Sequence, residues 1–173
     1  MMPEEYKKYC PKLFSKGKRG LIYVFVKKNK KYAIKIKNPK SKAYNRIMNE
    51  GKFLKLLNKY QIGPKIIDFS ESFVCYEFIE GIELKECINK KIHKDIIRSI
   101  LKQCEIMDNL KINKEEMHKP LKNIIIKKNK AFLIDFERCH YTLRPKNVNQ
   151  FKEFLRRIEW DSYNPSNIKQ KNE

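Results

Sequence analysis

The sequence contains no uninterrupted apolar run near the roughly 18 residues that a membrane-spanning helix needs. It also lacks a C-x-x-C pair, and its five cysteines form an odd set, which argues against a disulfide framework and against a zinc cage. The first five residues show neither the basic n-region nor the apolar h-region of a signal peptide. We therefore expect a soluble, cytoplasmic protein with reduced thiols and no membrane association.

Arginine is also scarce, since only 7 of the 40 basic residues are Arg and 33 are Lys. Arg is the better residue for reading base edges and gripping phosphates in a bidentate manner. With 20 acidic residues the formal net charge is +20, which attracts phosphate-bearing partners over about a Debye length. The charge therefore indicates either an RNA-binding surface or a compositional background, and the sequence leaves both open.

What the sequence does have is enough apolar material for a core: 173 residues with 41% hydrophobic and 12% aromatic side chains. β-Rich runs and helical spacing predict five or so strands with one inserted helix, followed by a mainly helical half that carries a short hairpin. The predicted strands are Leu21–Val26, Tyr32–Ile36, Ile66–Phe69, Phe73–Phe78, Ile124–Ile126 and Ala131–Ile134. The predicted helices run from Ser41 to about Tyr60, from His93 to Leu110 and from Val148 to Ile158.

This order predicts an α+β, two-lobed layout. The expected divisions are a β-rich lobe at residues 1–81, a short helical lobe at 82–160 that includes the second hairpin, and a flexible tail at 161–173.

The second hairpin carries two candidate metal ligands. Asn123 precedes its first strand and Asp135 follows its second, so a turn centred on Asn129 would place them opposite one another. An amide oxygen and a carboxylate are hard ligands of the kind that Mg²⁺ prefers. The alternative is that both are polar strand ends that satisfy turn backbone.

The first hairpin places a lysine near a glycine pair. If its turn is centred near Lys28 and Asn29, Lys35 pairs near Ile22, and the Gly17-x-x-Gly20 segment emerges at the same end. Glycines there would let backbone N–H groups approach a phosphate, with Lys35 as a point charge. The alternative is a solvated edge lysine.

The helix from Ser41 carries an acid on its apolar side. On a helical wheel Glu50 lies within the arc formed by Ala43, Ile47, Phe53, Leu54 and Leu57. A buried carboxylate needs a cationic partner, and Lys35 on the preceding strand is one candidate. A local pair with Arg46 at i−4 is the other.

Taken together and in this chain order, these residues resemble the protein-kinase signature set. Gly17–Ile22 resembles the glycine-rich loop, Tyr32–Lys35 resembles V-A-I-K, and Glu50 matches the helix glutamate. Tyr76–Gly81 is similar to the connector between kinase lobes, and Ile134–Glu137 stands where Asp-Phe-Gly is expected.

The likeness is greatest to small archaeal predicted Ser/Thr protein kinases related to the RIO and KEOPS-complex kinases. Their pattern is similar to Met107–Leu110, Glu116–Ile125, Ile134–Glu137 and Arg144–Val148, and the resemblance covers roughly residues 12–160. It implies a minimal protein kinase-like two-lobed fold, because the 38 residues after Asp135 are too few for an activation segment and the usual helical subdomain.

The resemblance also implies ligands and roles. ATP and Mg²⁺ or Mn²⁺ are the expected cofactors, and γ-phosphate transfer to a protein hydroxyl is the expected activity. The resemblance implies that Lys35 binds the phosphates, that Glu50 orients Lys35, and that Gly17 and Gly20 form the phosphate loop. It also implies that Asn123 and Asp135 bind metal and that Glu116 is the base. Adenine would lie near Ala33, Glu77 and Ile79.

Two departures from the kinase pattern favour alternatives. Glu116 lies seven positions before Asn123, whereas the kinase base lies five before its Asn, and Glu137 replaces a glycine. The irregular loop favours a nucleotide-binding pseudokinase, whereas the basic charge favours a module associated with RNA or tRNA and the shortened second half favours a small-molecule kinase.

Overall fold

The computed structural model describes residues 2–42, 45–87 and 92–158. The predicted tail at 161–173 and Ala43 lie outside these ranges. Contacts divide the described chain into two compact units, one containing residues of 1–80 and 134–139 and the other residues of 81–133 and 140–173. Unlike the division expected from the sequence, the segment 134–139 that contains Asp135 belongs to the first unit. Within the described ranges, no helix has the length and apolar character needed to cross a bilayer.

The first unit is built on an antiparallel sheet with strand order β1-β2-β3-β5-β4. Its strands are β1 (Lys12–Lys16), β2 (Gly20–Lys27), β3 (Lys30–Lys37), β4 (Ile66–Phe69) and β5 (Phe73–Glu77), and its helices are α1 (Glu4–Lys7) and α2 (Arg46–Asn58). The turn between β2 and β3 has two central residues, Lys28 and Asn29, both with positive φ. This type I′ geometry suits the twist of a hairpin and pairs Ile22 with Lys35, as predicted.

Alternation along β3 separates two environments. Ile34 and Ile36 join an apolar cluster on one face of the sheet, where Tyr6 of α1 packs against the rings of Phe25 and Phe73. Burial raises the pKa of the Tyr6 hydroxyl above its usual range. Residues at odd positions of β3, including Lys35, therefore point to the opposite face.

Helix α2 begins later than predicted. Ser41 does not cap it, because Asn38 closes a turn: the Ser41 N–H donates to the Asn38 carbonyl at 2.8 Å, and the Lys40 N–H donates to the Asn38 Oδ1 at 3.0 Å. The helix starts at Arg46, and its described apolar arc is buried together with Glu50.

The second unit contains two small sheets with strand orders β6-β8-β9 and β10-β7. Its described elements are β6 (Ile82–Glu83), α3 (Leu84–Cys87), α4 (Lys94–Asn109), β7 (Ile112–Asn113), 3-10 turns at Glu115–His118 and Pro120–Lys122, β8 (Ile124–Lys127), β9 (Lys130–Leu133), β10 (His140–Tyr141) and α5 (Asn147–Arg157). The buried side of α4 consists mainly of the apolar residues that the helical spacing predicted.

The hairpin in this unit differs from the prediction by one residue. Lys128 and Asn129 form a two-residue type I′ turn, so Ile124 pairs with Leu133. Continuing that register would set Asn123 opposite Ile134 rather than Asp135. The predicted turn centred on Asn129 alone was therefore wrong.

Candidate functional site

The candidate site is centred on Lys35, which is only 6% exposed despite its charge. Its Nζ lies 2.6 Å from the Glu50 carboxylate, as the sequence predicted. Arg46, the alternative partner for Glu50, instead donates to the Glu137 carbonyl at 3.3 Å. The buried amine is therefore compensated across the sheet–helix interface, which is what the desolvation of a charge requires.

Two further carboxylates contact the same amine. The Lys35 Nζ lies 2.9 Å from Asp135 Oδ1 and 3.1 Å from Glu137 Oε2. An ammonium group has three N–H donors, so each can serve one acid. With Glu50 included, one oxygen from each of the three carboxylates lies within 4.8 Å of the others.

This excess of acid over base affects the protonation of both partners. Burial alone would lower the pKa of Lys35, but the three carboxylates raise it well above the ordinary value of lysine. Burial raises the pKa of Glu50 to about 7, opposed by Lys35 and reinforced by Asp135 and Glu137. Lys35 therefore stays cationic at neutral pH, and Glu50 titrates near neutrality.

Asp135 is the member of the cluster that is open to solvent. Its side chain is 40% exposed, against 3% for Glu50 and 5% for Glu137. Its φ of 62° lies in the left-handed region, which Asp and Asn tolerate better than most residues and which recurs at functional sites. An accessible carboxylate beside two buried ones fits a hard cation such as Mg²⁺.

Glu137 forms ion pairs with two cations. Its Oε1 lies 2.9 Å from Arg19 Nη1 while its Oε2 accepts from Lys35. Its carbonyl accepts from the Asn49 side chain at 3.0 Å as well as from Arg46. The sequence signals only that an acid replaces a glycine, because the partners of Glu137 are 88 to 118 residues away along the chain.

The predicted phosphate loop lies between β1 and β2. The Gly17 N–H donates to the Gly20 carbonyl at 2.9 Å, and Asn38 holds the loop by donating to the Gly17 and Arg19 carbonyls. A Cβ on Gly20 would lie 2.9 Å from Lys35 Cε. Glycine at position 20 therefore makes room for the lysine stem.

The residues predicted to lie near adenine also belong to the first unit. Ala33 is buried on β3, whereas Glu77 ends β5 and Ile79 follows it. The Glu77 N–H donates to the Lys65 carbonyl at 2.8 Å, so this amide already has a partner. Just after Glu77, the Phe78 ring contacts the ring of Phe14, a β1 residue that is 63% exposed. Phe14 is an exposed aromatic that the sequence reading did not select.

The other predicted site residues lie in the second unit. Asn123 caps the second 3-10 turn, where its N–H donates to the Pro120 carbonyl. Glu116 lies on the first 3-10 turn with an 18% exposed side chain, and its carboxylate is 3.3 Å from the Nζ of fully buried Lys114. The structure thus brings Lys35, Glu50 and Asp135 together in one unit, and the metal role of Asn123 and the base role of Glu116 stay predictions.

The segment before Glu116 is held by a buried polar network that the sequence reading missed. Asn147 is fully buried; its Oδ1 accepts from the Lys114 N–H at 2.7 Å and its Nδ2 donates to Asp108 at 2.6 Å. Asp108 also accepts from the Val148 N–H, at 3.2 Å. Both Asp108 and Asn147 belong to the segments similar to the kinase pattern, which was the available signal.

No protein-family model matches the chain, and no curated protein matches it. Solved structures of Rio2 kinase from Chaetomium thermophilum are similar to it. One Rio2 structure has a TM-score of 0.62 at 13% identity, covering 90% of this chain and 59% of that one. The Rio2 kinase-ADP/Mg²⁺-phosphoaspartate complex has a TM-score of 0.59 at 14% identity, covering 89% and 56%.

The chain therefore spans less than two thirds of the length of these Rio2 chains. At these identities the likeness shows the fold, which is an α+β fold of the RIO-like protein-kinase type. The fold class predicted from the sequence is confirmed.

Proposed function

We propose that the chain is an ATP-dependent phosphotransferase of the atypical protein-kinase type, which transfers the γ-phosphate of Mg·ATP or Mn·ATP to a protein hydroxyl. The observation that carries this proposal is the contact of Lys35 with both Glu50 and Asp135, at 2.6 and 2.9 Å. In protein kinases a strand lysine binds phosphate, a helix acid orients that lysine, and the acid before the Phe binds metal. The RIO-like fold and the ADP/Mg²⁺ complex of a Rio2 kinase support the same ligands.

In this proposal Lys35 binds the α- and β-phosphates and is oriented by Glu50. Asp135 holds the metal, because its carboxylate is the exposed one in the cluster. When bound, the metal would neutralise charge on the phosphate oxygens. The remaining proposed roles are those of Asn123 as a second metal ligand, Glu116 as base, Gly17 and Gly20 in the phosphate loop, and Ala33, Glu77 and Ile79 near adenine.

Single-turnover reactions with γ-labelled ATP test the transfer. Excess protein is mixed with labelled Mg·ATP and a generic acceptor such as casein, and Lys35→Met serves as the inactive control. We expect label on protein as an acid-stable phosphoester with wild type and none with the control. Label that stays on ATP that is demonstrably bound would contradict transfer.

That contrary result would favour a second candidate function, a nucleotide-binding switch without transfer. The observation behind it is the Lys114–Glu116 contact of 3.3 Å. A carboxylate that accepts from a buried ammonium has less capacity to accept a substrate proton. Loss of transfer in Glu116→Gln would support the enzyme, whereas unchanged transfer would remove Glu116 from the base position.

A further inference from the structure

Arg19 lies in the loop predicted to cover phosphates, yet the kinase resemblance gives it no role. Asn38 fixes the loop backbone around it: the Asn38 side chain donates to the Gly17 carbonyl, and the Asn38 N–H donates to the Arg19 carbonyl, both at 2.9 Å. The Arg19 side chain remains 43% exposed. Its guanidinium is therefore both positioned and accessible.

The guanidinium and the Lys35 amine converge on one anion. Glu137 is 4% exposed, and its two carboxylate oxygens lie 2.9 Å from Arg19 Nη1 and 3.1 Å from Lys35 Nζ. Its backbone cannot shift freely, because Asn49 and Arg46 donate to its carbonyl. Arg19 and Lys35 therefore form a two-cation anion site, and the Glu137 carboxylate occupies it.

Phosphate oxygens accept from the same donors as a carboxylate, and the planar guanidinium fork suits them well. We propose that Arg19 is a second phosphate-binding residue beside Lys35 and that the carboxylate of Glu137 competes with phosphate for both cations. This inference rests on the proposed function, since it names the groups that would hold the triphosphate. A purely structural Arg19–Glu137 pair would affect stability without distinguishing phosphorylated from unphosphorylated ligands.

Calorimetric titrations test the competition between the Glu137 carboxylate and phosphate. EDTA is present, so that any binding of metal by Glu137 does not affect the result. The probes are ATP, sodium tripolyphosphate and adenosine, and thermal melting checks that each variant is folded. Arg19→Gln should weaken the binding of ATP and of tripolyphosphate about 10-fold and leave the binding of adenosine unchanged. Arg19→Lys should restore part of the lost affinity. Glu137→Gln should tighten the binding of ATP and of tripolyphosphate several-fold.

Two matched variants control for charge alone. Lys30→Gln removes an exposed cation at the start of β3, outside the phosphate loop, and Glu4→Gln removes an acid from an exposed pair on α1; both should change phosphate affinity less than twofold. Equal effects of Arg19→Gln and Lys30→Gln, or weaker ATP binding by Glu137→Gln, would overturn the inference. If Glu137→Gln fails to fold, the Arg19 and Lys30 comparison decides alone.

The outcomes separate this inference from the proposed function. Arg19-dependent binding of tripolyphosphate without any binding of adenosine, ATP or, in the absence of EDTA, Mg·ATP would refute a nucleotide-dependent function and leave the phosphate pair standing. ATP binding that does not depend on Arg19 would refute the phosphate pair and leave the nucleotide-dependent function standing. Absence of binding by all three probes in EDTA would refute the phosphate pair, and absence of Mg·ATP binding without EDTA as well would refute both.

Discussion

At the scale of single residues, the decisive feature is a lysine that is buried with more acid than it can neutralise. Lys35 contacts three carboxylates, and their combined charge exceeds that of the Lys35 ammonium and of the Arg19 guanidinium that pairs with Glu137. Such an arrangement has a high electrostatic cost in a low-dielectric setting unless a proton or another cation joins it. The cluster is therefore suited to binding a cation, and Glu50 is the place where a proton can be held.

The raised pKa of Glu50 predicts a pH-dependent stability. In the folded chain Glu50 holds its proton up to about pH 7, whereas its ordinary pKa is 4.5. Its stabilising contribution is therefore fully present below pH 4.5 and is lost as the pH rises to 7, by at most about 1.4 kcal/mol per pH unit. Lys35 stays protonated throughout this window.

Chemical denaturation of wild type and Glu50→Gln between pH 4.5 and 8 measures this effect, because titrating groups remote from the cluster cancel in the difference. We expect wild type to lose stability relative to the variant as the pH rises to 7. A difference that is constant with pH would show that Glu50 has an ordinary pKa.

At the scale of elements, helix α2 packs closely on strand β4 at Gly51, the residue that follows Glu50. A Cβ at Gly51 would lie 2.2 Å from the Phe69 ring of β4, so the helix backbone packs directly on that side chain. Helix propensity alone favours Ala over Gly by about 1 kcal/mol. Packing and propensity therefore predict opposite signs for the same substitution.

We expect Gly51→Ala to lower the free energy of unfolding by roughly 1–3 kcal/mol, since overpacking a buried contact exceeds the gain in propensity. Denaturant unfolding of the two proteins gives the sign directly. A variant that is more stable than wild type would mean that α2 does not pack tightly on β4.

Sequence patterns predicted elements well where burial alternates or recurs, and poorly where it does not. Strand β1 was missed because all five of its residues are exposed, so no alternation marks it. The hairpin turns show a different error. The same four-residue sequence, Lys-Lys-Asn-Lys, occupies positions 27–30 and 127–130 and forms the same turn. The register of the first hairpin therefore predicts that of the second.

The site was predictable to the extent that it is local or resembles a known motif. The Lys35–Glu50 pair follows from strand alternation and the helical wheel. The Arg19–Glu137 contact joins residues 118 apart, and only the folded backbone places them together. The same is true of the Asp108–Asn147 network, because polar residues at helix ends resemble ordinary caps in sequence.

At the scale of the whole molecule, burial of the cysteines tests both units in one measurement. Cys75, Cys104 and Cys139 are buried, whereas Cys10 is exposed and Cys87 is half-buried. Burial raises the pKa of Cys75 to about 11 and that of Cys104 above its usual range. Both thiols are therefore protonated and shielded at pH 8.

Titration with Ellman's reagent at pH 8 should label two thiols rapidly and all five only after denaturation. Mass spectrometry of the labelled protein should locate the fast sites at Cys10 and Cys87. Rapid labelling of Cys104 would contradict the packing of α4, and rapid labelling of Cys75 would contradict that of the sheet.

The net charge of +20 also acts at this scale. Because lysine rather than arginine supplies most of it, we expect binding of tRNA to be independent of sequence and to fall steeply with salt. Fluorescence anisotropy at 50 and 200 mM salt measures the slope. Tight binding that persists at 200 mM salt and discriminates between RNA sequences would contradict this expectation and favour a dedicated RNA-binding role.

Calorimetry of ATP binding to wild type and Asp135→Asn, with and without Mg²⁺, tests the role of the Lys35 cluster most directly. Asn tolerates the left-handed backbone at position 135, so the substitution removes charge with little strain. We expect the variant to bind Mg·ATP at least 10-fold more weakly and metal-free ATP as well as or better than wild type. Equal affinity of the two proteins for Mg·ATP would contradict the assignment of the Lys35 cluster as the metal–nucleotide site.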